Sequence, residues 1–174
     1  MPSNILMILA HPNIEQSIAN KHISTIISAY DNTEVRNLTS LYPDFKIDVK
    51  AEQEALLKAD IVVFQYPLFW YGVPSLLKEW IDSVFTFGFA FGKGIYQLEG
   101  KKIIVSFTTG SSIKDYPEDV VEKIVFPFKG LADYCKMEYL TTLVSHEIGG
   151  YSEEAKTKSI NNANIHAKKI LELI

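Results

Sequence analysis

The sequence has a single cysteine, Cys135, among its 174 residues. That excludes an internal disulfide and any paired-cysteine redox or metal motif. A lone cysteine in an apolar stretch reads as a small core residue rather than a reactive thiol. Arginine is equally scarce, with Arg36 the only one, and the net charge is −4. No basic stripe appears, so no nucleic-acid partner is expected. No apolar run approaches the roughly 20 residues that a membrane-spanning helix needs. The run Ile5–Ala10 has no basic segment before it and is too short for the core of a secretory signal. These absences point to a soluble, cytoplasmic chain. GxGxxG and the Walker A pattern are also missing, which weakens a Rossmann dinucleotide reading and excludes most P-loop chemistry. Nothing in the sequence calls for a metal.

Apolar residues are plentiful, at 47% of the chain. That is enough for one buried core, and the length suits a single domain spanning 1–174. There is no internal repeat or low-complexity segment. Asn4–Ala10, Ile61–Tyr66, Lys102–Thr108 and Glu138–Val144 read as strands, and Thr33–Asn37 as a short edge strand. Near-continuous apolar runs such as Asn4–Ala10 and Ile61–Tyr66 are what parallel strands covered on both faces require. Helices are expected over Ser17–Tyr30 with Ser17 as cap, Val49–Ala59 with Asp48 as cap, Pro74–Phe85, Glu118–Tyr134 and Ser152–Ile174. Pro127 should kink or split the fourth of these. Strands alternating with helices imply an α/β fold: a doubly wound five-stranded parallel sheet between two helical layers. Ligands of such sheets sit beyond the carboxyl ends of the strands.

Three loops at that edge carry unusual residues. His11–Ser17 runs from the first strand into a helix start continued by Ile18, Ala19 and Asn20. Free amides there, with Ser17, Asn20 and a His11 N–H, suit a phosphate, although Ser17 as a mere cap and His11 as a solvated loop residue explain the same letters. Pro67-Leu68-Phe69-Trp70-Tyr71-Gly72-Val73-Pro74 places three successive aromatics after a buried strand. They can wall a flat cofactor, meet a partner subunit, or pack as a satellite core cluster. Thr108-Thr109-Gly110-Ser111-Ser112 offers consecutive amides around a glycine, either an ordinary turn or a rim for a heterocycle edge. A ligand with a phosphate, a flat ring and a polar ring edge fits all three, and FMN has those parts. Phe85-Thr86-Phe87-Gly88-Phe89-Ala90-Phe91 repeats phenylalanine at period two, which suggests an extended strip with one apolar side, either a subunit contact or folded onto its own core.

The segments ILAHPNIEQSIAN (8–20), LYPDFKIDVKAEQEAL (41–56), ADIVVFQYPLFWYGVPSLLKEWIDSVFTFGFAFG (59–92) and LEGKKIIVSFTTG (98–110) resemble the NAD(P)H dehydrogenase (quinone) family, which has a flavodoxin-like fold. The likeness is strongest to short bacterial members, including ancillary oxidoreductase subunits of glutathione-gated potassium-efflux systems. It implies a homodimer with a flavin at each of two interfacial sites. His11, Ser17, Ile18, Ala19 and Asn20 would lie near the flavin phosphate or ribityl chain. Pro67, Leu68, Phe69 and Trp70 would lie against the isoalloxazine, and Thr108, Thr109, Gly110 and Ser111 at its pyrimidine edge. Tyr116 falls where larger members carry a catalytic tyrosine; Glu122 stands near where they carry its histidine. Larger members bind FAD through a C-terminal extension that this chain lacks, so FMN is expected, with NAD(P)H as co-substrate and a quinone or similar acceptor.

Hydride would pass from NAD(P)H to the flavin and on to the acceptor in the same slot, giving ping-pong kinetics, with the amides of Thr109 to Ser111 stabilising the reduced flavin. The alternative from the same resemblance is a regulatory flavoprotein on the cytosolic domain of a membrane transporter, peripheral at the inner face of the membrane. A flavodoxin-type electron carrier ranks lower, because carriers need an acidic surface and −4 is mild.

Overall fold

In the computed structural model, which describes residues 3–174, five parallel strands form one sheet in the order β2-β1-β3-β4-β5. The strands are β1 (Ile5–Leu9), β2 (Thr33–Asn37), β3 (Ile61–Pro67), β4 (Lys102–Thr108) and β5 (Glu138–Ser145). The helices are α1 (Ala19–Ser28), α2 (Leu38–Leu41), α3 (Val49–Lys58), α4 (Ser75–Val84), α5 (Glu118–Tyr134) and α6 (Glu153–Leu171). The strand order reverses between β1 and β3, so the carboxyl ends of β1, β3 and β4 border the crevice where this architecture takes ligands.

Alternation along each strand feeds two cores. Leu6 and Ile8 of β1, Val62 and Phe64 of β3, and Ile103 and Val105 of β4 pack with Leu77 and Trp80 of α4 and Phe128 of α5. Ile5 and Met7, Ile61 and Val63, and Ile104 face the other way, against Ile23 and Ile27 of α1 and Ala163, Ala167 and Ile170 of α6. Both faces are covered, which is why the strands read as continuous apolar runs. No helix among the described residues is long and apolar enough to cross a membrane.

Three expectations need correction. Helix α1 begins at Ala19, because Ile14–Gln16 forms a short 3-10 turn and Ser17 stays extended. Ser17 still caps, since its Oγ accepts the Asn20 N–H at 3.1 Å. Pro127 does not split α5, which runs unbroken past it. The proline is exposed, so the backbone carbonyl it leaves unpaired can turn to water. The Phe85–Phe91 segment is not an extended strip. Phe89 and Ala90 donate N–H groups to the Thr86 carbonyl, which folds the segment into turns. Phe85 and Phe89 therefore enter the core, while Phe87 stays exposed.

Candidate functional site

The carboxyl ends of β1, β3 and β4 surround a cleft of about 260 Å³, lined by His11, Gln16, Ser17, Ile18, Asn20, Pro67, Leu68, Phe69, Thr108, Thr109, Gly110, Ile148, Gly149 and Gly150. Of the larger depressions, those of about 450 and 870 Å³ lie at the opposite edge, around Asn4 and Asn32, away from the strand ends that position ligands in this fold, and one of about 390 Å³ lies between β5 and α6, beside His146. Ten of the residues singled out by sequence meet in the carboxyl-edge cleft.

The first loop brings donors. His11 Nδ1 accepts the Asn13 N–H at 3.1 Å, which leaves the proton of the neutral ring on Nε2 as a donor. Burial lowers the pKa of this histidine. With the Asn20 N–H taken by Ser17, the amides of Ile18 and Ala19 are without partners among the described residues at the start of α1, where anions are favoured. The Ala19 side chain itself is buried in the core rather than facing the cleft.

The second loop is a two-residue hairpin. Phe69 N–H donates to the Gly72 carbonyl at 3.1 Å and Gly72 N–H to the Phe69 carbonyl at 2.9 Å. Trp70 and Tyr71 hold φ of 49° and 62°. Two positive φ angles belong to a type I′ turn, which normally carries Asn-Gly or Gly-Gly. Trp and Tyr there cost about 1–3 kcal/mol each in backbone strain, and such strain gathers at functional positions. Phe69 lines the cleft, but Trp70 does not. It stands 97% exposed at the hairpin tip, outside the lining of the cleft.

The third loop offers fewer donors than its sequence suggests. Thr109 N–H goes to the Ser145 carbonyl at 2.9 Å and Ser111 N–H to Thr109 Oγ1 at 3.2 Å. Of the three amides, Gly110's alone is without a partner among the described residues. Ser111 lies outside the cleft lining and fastens the loop by accepting the Glu147 N–H at 3.0 Å. Tyr116 also lies outside the lining, following the 3-10 turn Ile113–Asp115. Its ring sits 5.9 Å from Tyr71 and 6.2 Å from His146. Glu122 is instead paired with Lys129 on the surface of α5. The histidine near Tyr116 thus comes from the loop after β5. Burial lowers its pKa, and its Nδ1 is buried without a partner among the described residues.

Sequence reading missed the loop after β5, which supplies His146, Ile148, Gly149 and Gly150. A glycine pair at a carboxyl-edge loop was the available signal. A Cβ on Gly150 would lie 2.6 Å from Ile18 Cδ1, so its lack of a side chain keeps Ile18 where it lines the cleft. Buried Cys135 has its thiol pushed up to about 11 by burial, an inert core residue.

A family model described as flavodoxin-like fold matches residues 3–171. The chain is 41% identical over 147 residues, 82% of each sequence, to the glutathione-regulated potassium-efflux system ancillary protein KefF of Enterobacter sp. (strain 638). Among solved structures it is similar to general stress protein 14 of Treponema denticola in complex with FMN, with 35% identity, a TM-score of 0.89, and coverage of 99% of this chain and 100% of that one. It is also similar to an NADPH-quinone reductase from P. pentosaceus, with 28% identity, a TM-score of 0.77, and coverage of 94% and 97%.

Proposed function

Because the chain belongs to the flavodoxin-like fold family, we propose that it is an FMN-dependent oxidoreductase passing two electrons from NAD(P)H to a quinone or related acceptor. The observation that carries this reading is one cleft that joins unpartnered amides at a helix start, a cleft-facing phenylalanine and a glycine-opened rim. The FMN complex of the Treponema denticola protein supports FMN over FAD, and the P. pentosaceus NADPH-quinone reductase supports the donor and acceptor.

The residues present fit FMN. The Ile18 and Ala19 amides, Ser17 and His11 Nε2–H would hold its phosphate. Pro67, Leu68 and Phe69 would hold the ring, with Gly110 N–H and the Thr108 hydroxyl at a polar edge. Gly149 and Gly150 let backbone approach closely. When bound, FMN supplies the redox chemistry, accepting a hydride from the nicotinamide and delivering it to the acceptor. The protein's part would be to hold the ring against Phe69 so that donor and acceptor can meet it in turn. Gly110 N–H would stabilise negative charge at the ring's polar edge, and the positive end of α1 would stabilise that of the phosphate. Tyr116 beside His146 would deliver the proton that the quinone oxygen takes up.

The face formed by Phe87, Phe91 and Tyr134, with ring centroids 5.9 and 5.0 Å apart, is the surface proposed to meet a second copy. A second reading is an FMN-bearing regulatory subunit on the cytosolic side of a potassium-efflux transporter, supported by the identity to the KefF protein. Flavin binding is tested by titrating the purified chain with FMN. Quenched flavin fluorescence and a raised melting temperature are expected, and neither would appear if the cleft takes another ligand. Steady turnover of NAD(P)H with a quinone separates the enzyme from a purely regulatory flavoprotein.

A further inference from the structure

Polar side chains break into the apolar face shared by α1 and α6 as the strands approach their carboxyl ends. Val63 is followed on that face by Gln65, Ile104 by Ser106 and Thr108, and Leu143 by Ser145. With Asn20 of α1 and His166 of α6, these residues are all buried. A buried polar group costs free energy unless it is paired, and here each is paired in a single line. Asn20 Nδ2 lies 2.9 Å from Thr108 Oγ1, and Gln65 Nε2 lies 2.8 Å from Asn20 Oδ1. Ser106 Oγ lies 2.5 Å from Gln65 Oε1 and 2.6 Å from His166 Nε2, and Ser145 Oγ lies 2.8 Å from His166 Nδ1. The line thus starts at the cleft, at Thr108, and passes through His166 of α6, which the proposed reaction does not use, to Ser145 of β5.

Donor counting gives the line a direction. Gln65 donates to Asn20 from its amide nitrogen, so its oxygen must accept, and the Ser106 hydroxyl proton is spent there. Ser106 Oγ can then only accept from His166, which places the ring proton on Nε2. His166 Nδ1 is left as an acceptor for the Ser145 hydroxyl. At the other end, Thr108 Oγ1 accepts from Asn20, so its own proton is left over. It has no acceptor among the described residues. Thr108 lines the cleft, so that proton is available to a bound ligand.

We propose that His166 is a positioning residue for the ligand cleft: through Ser106, Gln65 and Asn20 it holds the Thr108 hydroxyl as a donor to the bound cofactor. The inference rests on the FMN reading for the identity of that cofactor, but not for the coupling along the line. Reversing any one link reverses the rest, because each interior member has one donor and one acceptor committed to its neighbours. A Nδ1–H ring would turn Ser106 into a donor toward His166 and Thr108 into a donor toward Asn20, away from the cleft. Burial keeps the ring neutral at ordinary pH, so the tautomer sets the direction.

The test uses the full ¹⁵N-labelled chain. Long-range proton–nitrogen spectra should show His166 as the Nε2–H tautomer, and Thr108→Val at the cleft should shift the His166 ring nitrogens. FMN binding then gives a thermodynamic cycle. Ser106→Ala and Thr108→Val should each weaken FMN binding about tenfold, the upper range for one hydrogen bond. The double variant should be no worse than either single, because both changes remove the same donor. His166→Gln, whose amide can still donate to Ser106, should keep most of the affinity, while His166→Phe should not. A Nδ1–H ring, unmoved His166 resonances in Thr108→Val, or additive losses in the double variant would each overturn the proposal. If wild type fails to bind FMN, the functional reading fails, and the two spectroscopic results still decide the coupling.

Discussion

Trp80 Nε1 donates a 2.8 Å hydrogen bond to Glu52 Oε2, a carboxylate with no exposed surface. The chain's one arginine, Arg36, forks onto the same group through Nε at 2.8 Å and Nη2 at 2.5 Å, and the Tyr42 hydroxyl completes the set. Three segments, β2 with α2, α3 and α4, are thereby tied behind the sheet, away from the cleft. Removing Glu52 leaves Trp80 Nε1 without its buried acceptor and Arg36 with only the Glu34 carboxylate, a loss of buried hydrogen bonds worth about 1–3 kcal/mol each. Glu52→Ala should lower stability by about 2–4 kcal/mol, and Trp80→Ala should cost about 3–5 kcal/mol through the cavity it leaves. Chemical denaturation measures both. Flavin affinity of the fraction still folded should be unchanged.

Much of this was legible in the sequence, and the failures have physical causes. Strands such as Ile5–Leu9 and Ile61–Pro67 announced themselves because burial on both faces removes alternation. The strand-to-helix loops announced the cleft, because parallel topology puts them at one edge. The Phe85–Phe91 segment departs from its period-two pattern because of the glycine at its centre. Gly88, at φ 82°, folds the chain back so that Phe85 and Phe89 are buried together. The hairpin itself was not legible, since no composition rule predicts tryptophan and tyrosine at consecutive positive φ angles, as Trp70 and Tyr71 hold them. Gln65 and Ser106 stood in plain view within two buried strands, but their partners on α1 and α6 are fixed only by the fold.

The hairpin strain can be removed by Trp70→Asn with Tyr71→Gly, which supplies the residues a type I′ turn favours. Relief of backbone strain should raise the melting point, by about 1 kcal/mol or more in stability. Quinone turnover should fall at the same time. Calorimetry paired with steady-state rates checks this, and a variant both more stable and fully active would show that the aromatic tip has no part in the reaction.

Gly150→Ala should weaken FMN binding with little change in melting point. The new Cβ would meet the end of the Ile18 side chain at 2.6 Å, a flexible group that can move only by shifting along the cleft it lines. Shortening that group in the Gly150→Ala, Ile18→Val double variant should recover part of the affinity in a fluorescence titration.

His166 makes stability depend on pH in a window of its own. Its pKa is lowered to about 4 by burial, with the charge of Lys169 adding to the effect, from an ordinary value of 6.5. Above pH 6.5 the ring is neutral in folded and unfolded chains, and it contributes no pH dependence. As pH falls from 6.5 to about 4 the unfolded chain takes up a proton that the folded chain refuses, so stability drops, by about 3 kcal/mol at the lower end. Below about 4 both forms are protonated and the loss levels off. Urea unfolding from pH 7.5 to 3.5 should show this component in wild type, and it should be missing in His166→Gln.

The central claim, two-electron transfer from NAD(P)H through FMN held in the carboxyl-edge cleft, is tested most directly by an anaerobic titration of the FMN-loaded protein followed by absorbance. One equivalent of NADPH or NADH should bleach the flavin bands, and one equivalent of a quinone added afterwards should restore them fully. Flavin bands that persist under excess NADPH and excess NADH, or that bleach but are not restored by quinone, would contradict the account.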